Sequence, residues 1–247
     1  MKKIAMIPAR YEASRFPGKL MQLLGDRTVI TTVFQAVRDT GLFDDVVVVT
    51  DSDIIFKEIE AAGGHPVMSV KEHESGTDRI AEAAEHMDVD IILNVQGDTP
   101  FIHKEPLEKL LALFGDETVQ VASLMQPITD EITLADPNRV KVCVDKQMNS
   151  LLFSRSIIPY PRNTKAAIAH YEHIGVYAFR KRALLDFTYW PLSPLEDAEK
   201  IECLRYLENG VRLRMAITDY IGVSIDTPAD LDKARDLLQN AKPDSGK

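Results

Sequence analysis

Three cationic side chains lie close together near the beginning of the chain, directly after a short apolar run. The segment IPARYEASRFPGK (7–19) contains Arg10, Arg15 and Lys19, separated by small residues, an aromatic pair and a Pro-Gly turn. Arginine forks and a lysine ammonium neutralise phosphate oxygens, and free backbone N–H groups complete an anion cradle. The segment therefore indicates a loop that wraps a polyphosphate. The alternative is a solvated loop with scattered charges, because neither GxxxxGK[ST] nor GxGxxG is present.

The elements around this segment alternate between strand and helix in the first half of the chain. Such alternation predicts a parallel sheet with helices on both faces, and ligands of open α/β sheets bind beyond the carboxyl ends of the strands. Three polar segments fall there: 8–19, QGDTP (96–100) and Asp226. The predicted strands are 3–8, 46–50, 66–70 and 90–95, and the predicted helices are 29–41, the segment from a cap at 51–53 to Gly63, and 77–87.

The middle of the chain has a different pattern, with four strand-like runs between about 119 and 180 and little helix. We expect an antiparallel insertion or a mixed extension of the sheet. A single helix is predicted over 195–210, followed by strands at 212–218 and 222–225 and a last helix from 227. Thr227, Pro228 and Asp230 are typical of a helix start, as cap, first-turn proline and acid. The tail at 242–247 is expected to be frayed.

The composition narrows the functional class. The chain has 247 residues, a net charge of −9 and two cysteines, Cys143 and Cys203. The acidic balance argues against a general nucleic-acid or anionic-membrane surface. The N-terminal apolar run is too short for a signal peptide, and no apolar window reaches the length of a membrane span. We expect one α/β domain over residues 1–247, in a soluble cytoplasmic protein with reduced thiols.

Seven motifs in consistent order resemble those of the 3-deoxy-manno-octulosonate (KDO) cytidylyltransferase family, the CMP-KDO synthetases, within the sugar nucleotidyltransferases. The resemblance implies a Rossmann-like nucleotide-diphospho-sugar transferase fold. It covers nearly the whole chain, and seven ordered motifs are far more specific than any single one. The motifs are IPARYEASRFPGK (7–19), SGTDR (75–79), NVQGDTP (94–100), FSRSIIP (153–159), HIGVYAFR (173–180), PLEDAEKIECLR (194–205) and IDTPADL (225–231).

The resemblance implies transfer of CMP from CTP to the anomeric hydroxyl of KDO, with release of diphosphate, for lipopolysaccharide synthesis. It implies Mg²⁺ held by Asp98 and Asp226, which together with Lys19 form the catalytic set. Arg10 and Lys19 would bind the β and γ phosphates, and Arg15 more loosely. Taken singly, Asp98 is more typical of a Gly-Asp turn, and Asp226 of a residue before a helix cap; as a pair in matching motifs, they favour the metal site. The implied nucleotide-binding residues are Pro8, Ala9, Arg10, Arg15, Lys19, Ser75, Gly76, Arg79 and Gln96.

The sugar acid carries a carboxylate and several hydroxyls, which suit an arginine fork and neutral or acidic hydrogen-bonding side chains. Each matching position also has a structural alternative: a core histidine, a tyrosine inside the sheet, or a solvated helix face. The resemblance further implies a homodimer formed through the β-rich region at about 119–180. The implied sugar-binding residues are Arg155, Arg162, His173, Tyr177 and Glu202.

Two residues depart from the family pattern: Thr99 replaces a Glu after QGD, and Cys203 replaces a Gln. If Cys203 faces the sugar, 8-position analogues should be better tolerated; the alternative is that Cys203 packs inside. An 8-amino KDO analogue or a sialic-type acid therefore stays open as substrate. A glycosyltransferase would need a DxD metal motif, and DSD at 51–53 is interpreted as a helix cap. A catalytically silent nucleotide-binding subunit would have lost Lys19, Asp98 or Asp226, and all three are present.

Overall fold

A computed structural model describes residues 1–12, 15–73, 75–163, 165, 167–219 and 223–241. Backbone contacts divide the chain into an N-terminal unit, Met1–Lys104 with Ile221–Lys247, and a middle unit, Glu105–Tyr220. A single catalytic domain over 1–247 stays a prediction. The predicted frayed tail lies outside the described residues, as do Ala13 and Ser14 of the cationic segment. Among the described residues, no helix is both long and apolar enough to cross a membrane.

The N-terminal unit contains a four-stranded parallel sheet in the order β6-β1-β4-β5. Its central strand, β1, is an almost fully buried apolar run, as expected for a parallel strand covered on both faces. A short hairpin, β2–β3, follows β1. The strands are β1 (Lys3–Ala9), β2 (Leu23–Leu24), β3 (Arg27–Thr28), β4 (Asp45–Thr50), β5 (His65–Met68) and β6 (Ile91–Asn94).

Capping residues fix where the helices of this unit begin. Thr28, Ser52 and Ser75 each accept a backbone N–H of the first turn with their hydroxyl. Gly41 and Gly63, at φ +66° and +74°, follow the first two helices in the left-handed conformation typical of helix ends. The predicted helices are thus confirmed. They are α1 (Val29–Asp39), α2 (Asp53–Ala61) and α3 (Gly76–Glu85). A further helix that was not predicted, α4 (Lys104–Ala112), follows β6 along the chain.

The middle unit contains the predicted β-rich region. Strand β10 pairs antiparallel with both β7 and β8, β9 pairs antiparallel with β8, and β11 lies parallel to β7. The α/β class with a β-rich insertion is therefore confirmed. The elements are β7 (Val121–Ile128), α5 (Glu131–Ala135), β8 (Lys141–Val144), β9 (Ser150–Ser154), β10 (His170–Arg180), α6 (Lys181–Tyr189), α7 (Pro194–Glu199), α8 (Leu204–Glu208) and β11 (Leu213–Ile217).

Two element predictions are wrong. The single helix predicted over 195–210 is divided into α7 and α8, because Lys200 adopts a left-handed conformation at φ 51° and ends α7. The carbonyl oxygens of Glu199 and Lys200 accept N–H groups of Arg155, which satisfies the groups that the break leaves open. Residues 223–225 of the strand predicted at 222–225 form no strand, and Gly222 lies outside the described residues. Helices α4, α5 and α6 were not predicted.

The last helix, α9 (Pro228–Ala241), begins as predicted. The Thr227 hydroxyl accepts the Asp230 N–H at 3.3 Å, and an Asp230 carboxylate oxygen accepts the Thr227 N–H at 3.0 Å. This reciprocal pair satisfies two N–H groups that a helix start leaves without a partner. It also fixes the backbone directly after Asp226, one of the two candidate metal ligands.

Candidate active site

A Pro-Gly turn places Lys19 beyond the end of β1. Gly18 has φ +69°, which a residue with a side chain adopts only with strain, and its N–H donates to the Tyr11 carbonyl at 2.9 Å. Lys19 then begins a short 3₁₀ turn over Lys19–Met21, although the sequence predicted no helix directly after the loop. The folded loop buries most of the Lys19 side chain, which is 14% exposed.

Lys19 joins the two candidate carboxylates. Its Nζ lies 2.5 Å from Asp98 Oδ2 and 3.1 Å from Asp226 Oδ1. A backbone hydrogen bond of 3.0 Å from Ile225 N–H to the Asp98 carbonyl holds the two acidic segments side by side. The three predicted catalytic residues are therefore brought together within the N-terminal unit, although residues 223–225 before Asp226 form no strand.

The charges of this cluster are balanced by a second cation. The Arg15 Nη2 lies 3.3 Å from Asp226 Oδ1, although 70% of the Arg15 side chain is exposed. Burial by itself raises the pKa of Asp226, but the hydrogen bond and charge of Lys19 and the charge of Arg15 hold that pKa below its usual range. Asp226 is consequently an ionised acceptor at neutral pH.

A cavity of about 180 Å³ opens beside this cluster. Eight of the nine predicted nucleotide-binding residues line it, together with Asp98; Arg15 does not. Leu20, Gly97 and His73 also line it and were not predicted. The lining residues from the prediction are Pro8, Ala9, Arg10, Lys19, Ser75, Gly76, Arg79 and Gln96.

Two glycines pack against Pro8 at the base of the cavity. A Cβ at Gly97 would lie 3.1 Å from the Pro8 carbonyl oxygen, and a Cβ at Gly76 would lie 3.0 Å from the Pro8 ring. Both distances are tighter than ordinary side-chain contacts, so glycine permits the close approach. The Thr99 hydroxyl donates to the Gln96 carbonyl at 2.8 Å and closes the turn that carries Asp98. The first departure from the family pattern therefore supports this turn.

Arg79 is fixed in the cavity wall by two partners. Its Nη1 donates to Ser69 Oγ at 2.9 Å and its Nη2 to Asp51 Oδ2 at 2.7 Å, and its side chain is 6% exposed. Ser52 caps α2, as predicted for the 51–53 segment. The DSD sequence therefore has a structural role, and no metal role is needed to explain it.

The sugar-binding candidates lie in the middle unit. His173 and Tyr177 lie on β10 with ring centroids 5.4 Å apart, and Phe153 packs edge-on against His173 at 4.9 Å. His173 Nε2 is 2.9 Å from the Ser123 hydroxyl, and burial lowers the pKa of His173 to about 4. His173 is therefore neutral at neutral pH, and the side chain of Tyr177 is almost fully buried beside it.

Arg155 makes contacts that were not predicted, and Cys203 follows one of its two predicted alternatives. The Arg155 guanidinium donates to the carbonyls of Pro137, Glu199 and Lys200, so it ties the segment before β8 to the end of α7. Cys203 is fully buried, and its thiol and Tyr177 share a hydrogen bond. This placement favours the alternative in which Cys203 packs inside. Arg162 is exposed.

Comparisons with known proteins decide the family. The cytidylyltransferase family model matches residues 4–217. A 3-deoxy-manno-octulosonate cytidylyltransferase of Flavobacterium johnsoniae is 55% identical over 243 residues, which are 97% of this chain and 100% of the relative. The chain belongs to the 3-deoxy-manno-octulosonate cytidylyltransferase family. A second member, from Christiangramia forsetii, is 56% identical over 95% of this chain and 96% of its own length.

Solved structures agree with this membership. A structure of CMP:2-keto-3-deoxy-manno-octonic acid synthetase complexed with CTP matches with a TM-score of 0.93 and 36% identity, over 98% of this chain and all of the other. A 4-diphosphocytidyl-2C-methyl-D-erythritol synthase from Anaerococcus prevotii matches with a TM-score of 0.64 at 18% identity, over 96% of this chain and 99% of its own, which shows the fold alone. The predicted nucleotidyltransferase fold of this KDO cytidylyltransferase family member is thus confirmed.

Proposed function

We propose that this protein transfers CMP from CTP to the anomeric hydroxyl of KDO and releases diphosphate. The observation that carries the proposal is the Lys19–Asp98–Asp226 cluster beside a cavity lined by eight predicted nucleotide-binding residues. Relatives at 55% and 56% identity carry the name of this activity. In the reaction an oxygen–phosphorus bond forms at the α-phosphorus and the bond to diphosphate breaks, so charge must be neutralised on the leaving group.

Lys19 and Arg10 are the proposed phosphate ligands. An ammonium has three N–H donors, and Asp98 and Asp226 occupy two of those of Lys19. One donor is therefore available for a phosphate oxygen without loss of the carboxylate contacts. Arg10, at the end of β1 and in the cavity lining, supplies a fork for a further phosphate. Arg15, which is largely exposed, would contribute more weakly.

The donor set fits Mg²⁺. The residues that the structure describes contain no group of three or more His, Cys, Asp or Glu side chains suited to a metal ion. They do contain two carboxylates, Asp98 and Asp226, at one cation. Mg²⁺ is commonly held by one or two carboxylates together with substrate phosphates and water. Asp98 and Asp226 would hold it, and it would supply positive charge for the phosphate oxygens.

Ser75, Gly76, Gln96 and Arg79 are proposed to contact the base and ribose. Gly76 and the capped start of α3 bring backbone groups close to the cavity, and Pro8 and Ala9 also line it. For the sugar acid we propose Arg155, Arg162, His173, Tyr177 and Glu202. Arg155 retains N–H groups beyond the three used on backbone carbonyls, and an arginine fork suits a carboxylate.

The names of the relatives favour KDO over an 8-amino analogue as the acceptor. CMP-KDO formed by this reaction would serve lipopolysaccharide synthesis in the cytoplasm. A homodimer through the middle unit is also proposed, because apolar side chains are exposed on and after β9. Unpaired apolar surface of this kind is typical of interfaces. These side chains are Leu151, Leu152, Ile157, Tyr160 and Ile168.

The test is an activity assay with CTP, Mg²⁺ and a panel of sugar acids that includes KDO, its 8-amino analogue and a sialic acid. Diphosphate release is measured for each acceptor. We expect release with KDO to exceed release with the other acids. Release without any acceptor, or a clear preference for a sialic acid, would refute the proposed function. Sedimentation of the purified protein tests the dimer separately.

A further inference from the structure

A histidine and a glutamate form a shielded pair in the wall of the nucleotide cavity. His73 Nε2 lies 2.7 Å from Glu82 Oε2, and the two side chains are only 8% and 14% exposed. The second Glu82 oxygen accepts the Val70 N–H at 3.4 Å. Burial raises the pKa of Glu82, but the hydrogen bonds from the His73 ring and the Val70 backbone hold that pKa below its usual range. Nothing in the phosphate chemistry proposed above uses this pair.

The contact with Glu82 determines which nitrogen of the His73 ring carries a proton. An ionised carboxylate can only accept hydrogen bonds, so the nitrogen that faces Glu82, Nε2, must carry a proton. In the neutral ring the other nitrogen, Nδ1, then has a lone pair and acts as an acceptor. Glu82 lies on α3 and His73 precedes that helix, so the ring is held against a rigid element.

The cations that line the cavity can only donate, so a base with an exocyclic amino group must find its acceptor among the other lining groups. Lys19, Arg10 and Arg79 line it and are donors only. Cytosine presents an amino group where uracil presents a carbonyl oxygen, so an acceptor favours cytosine and a donor favours uracil. His73 lines the same cavity, and a neutral ring with its proton on Nε2, towards Glu82, would make this distinction through Nδ1.

We propose that His73 determines the preference for a cytosine nucleotide, with Nδ1 accepting a hydrogen bond from the exocyclic amino group of the base. Glu82 is a positioning residue that holds the required tautomer. This inference rests on the proposed function, since it concerns the base of the same nucleotide. It adds a side-chain contact to the base and ribose site proposed above for Ser75, Gly76, Gln96 and Arg79.

The experiment compares kcat/KM for CTP and UTP, with KDO as acceptor, in the wild type, His73→Gln and Glu82→Gln. A glutamine at 73 can still contact Glu82 but provides no group at the Nδ1 position. We expect the CTP-to-UTP ratio to fall about tenfold, the size of one lost hydrogen bond, chiefly through slower use of CTP. The control is Glu60→Gln, an exposed position on α2, which should keep the wild-type ratio.

Glu82→Gln tests the tautomer itself. An amide can donate to Nε2, which moves the ring proton to Nδ1 and makes that nitrogen a donor. We therefore expect UTP use to rise in this variant while CTP use falls. Calorimetric titration with CMP and UMP, which needs no acceptor, repeats both comparisons as binding constants. An inactive wild type that still binds CMP in preference to UMP would refute the proposed function and leave the role of His73 testable.

Two results would overturn the inference. One is an unchanged CMP-to-UMP preference in His73→Gln with a wild-type thermal midpoint. The other is an equal loss of kcat/KM for CTP and UTP in both variants, which is expected of a residue that only shapes the cavity wall. If His73→Gln does not fold, the nucleotide preference of Glu82→Gln decides alone, because that change keeps both side-chain shapes.

Discussion

Replacing Lys19 by methionine removes the charge that joins Asp98 and Asp226 and keeps most of the side-chain volume. The ammonium contacts both carboxylates, at 2.5 and 3.1 Å, and is only 14% exposed, so water replaces it poorly. Loss of one preorganised electrostatic contact lowers turnover by about 10²–10³-fold. We expect a loss of this size at saturating CTP and Mg²⁺. Lys57→Met, an exposed position on α2, is the matched control and should keep wild-type turnover.

A comparison of CTP binding with CMP binding identifies the phosphates that Lys19 contacts. Loss of a charged hydrogen bond weakens binding by about 1.5–3 kcal/mol, or roughly 10- to 100-fold. Calorimetric titration should show this loss for CTP and a much smaller one for CMP, and Arg10→Ala should show the same asymmetry. Equal losses for CTP and CMP would remove Lys19 and Arg10 from the β and γ phosphates.

The same variant tests the metal assignment without turnover. Without the ammonium, Asp98 and Asp226 have only the largely exposed Arg15 as a neighbouring cation. Added Mg²⁺ should then raise the thermal midpoint of Lys19→Met more than that of the wild type, because ligands that bind only the folded state stabilise it. An identical Mg²⁺ response in both proteins would argue against a shared metal site.

The remaining predictions concern the carboxylates and the middle unit. Asp98→Asn and Asp226→Asn should each lower turnover by about 10²-fold in the diphosphate-release assay and leave the fold intact, because both lie at a partly exposed rim. Cys203→Gln should lower the free energy of unfolding by about 1–3 kcal/mol in urea titration, because a larger side chain must enter a fully buried site. Since burial lowers the pKa of His173 to about 4, its unfolded form binds the extra proton, and stability should fall as the pH decreases from about 6.5 towards 4. His173→Gln should reduce this slope by up to about 1.4 kcal/mol per pH unit in denaturant titrations at several pH values.

Different results would contradict each of these expectations. Near-wild-type turnover of either asparagine variant at saturating Mg²⁺ would remove that residue from the metal site. A Cys203→Gln protein of unchanged stability, with a narrowed preference for KDO over its 8-amino analogue, would place residue 203 against the sugar after all. An unchanged pH slope in His173→Gln would assign the acid sensitivity to other groups.

The N-terminal unit could be predicted largely from sequence because its signals are local. Buried apolar runs define β1 and β4, and caps such as Ser52 and Thr227 define helix starts within a few residues. Asp98 follows the end of β6, as expected for a polar residue beyond a parallel strand, but residues 223–225 before Asp226 form no strand. The backbone hydrogen bond from Ile225 N–H to the Asp98 carbonyl brings the two carboxylates together. The contact of Lys19 with both carboxylates could not be predicted from the positions of these residues in the sequence.

The contact between His73 and Glu82 could not be predicted from the sequence pattern, although the two residues lie on either side of SGTDR (75–79). The nine-residue separation between them spans a loop and more than one turn of α3, so no helical periodicity relates the two side chains. A histidine two residues before a helix cap is as typical of a solvated loop as of a buried contact. Only the fold shows that the ring is covered and turned towards a carboxylate.

Arg155 explains why the division between α7 and α8 was invisible in sequence. The segment 195–210 has continuous helical periodicity, and the residue that ends α7 is a lysine, which helices ordinarily accept. The stabilising partner lies more than forty residues earlier in the chain, at Arg155, and binds the carbonyls of Glu199 and Lys200. Residues 201–203 consequently lie between the two helices, with Cys203 at the N-cap of α8. The sugar-binding prediction for Glu202 was made on the motif, and the local pattern around it did not encode the break.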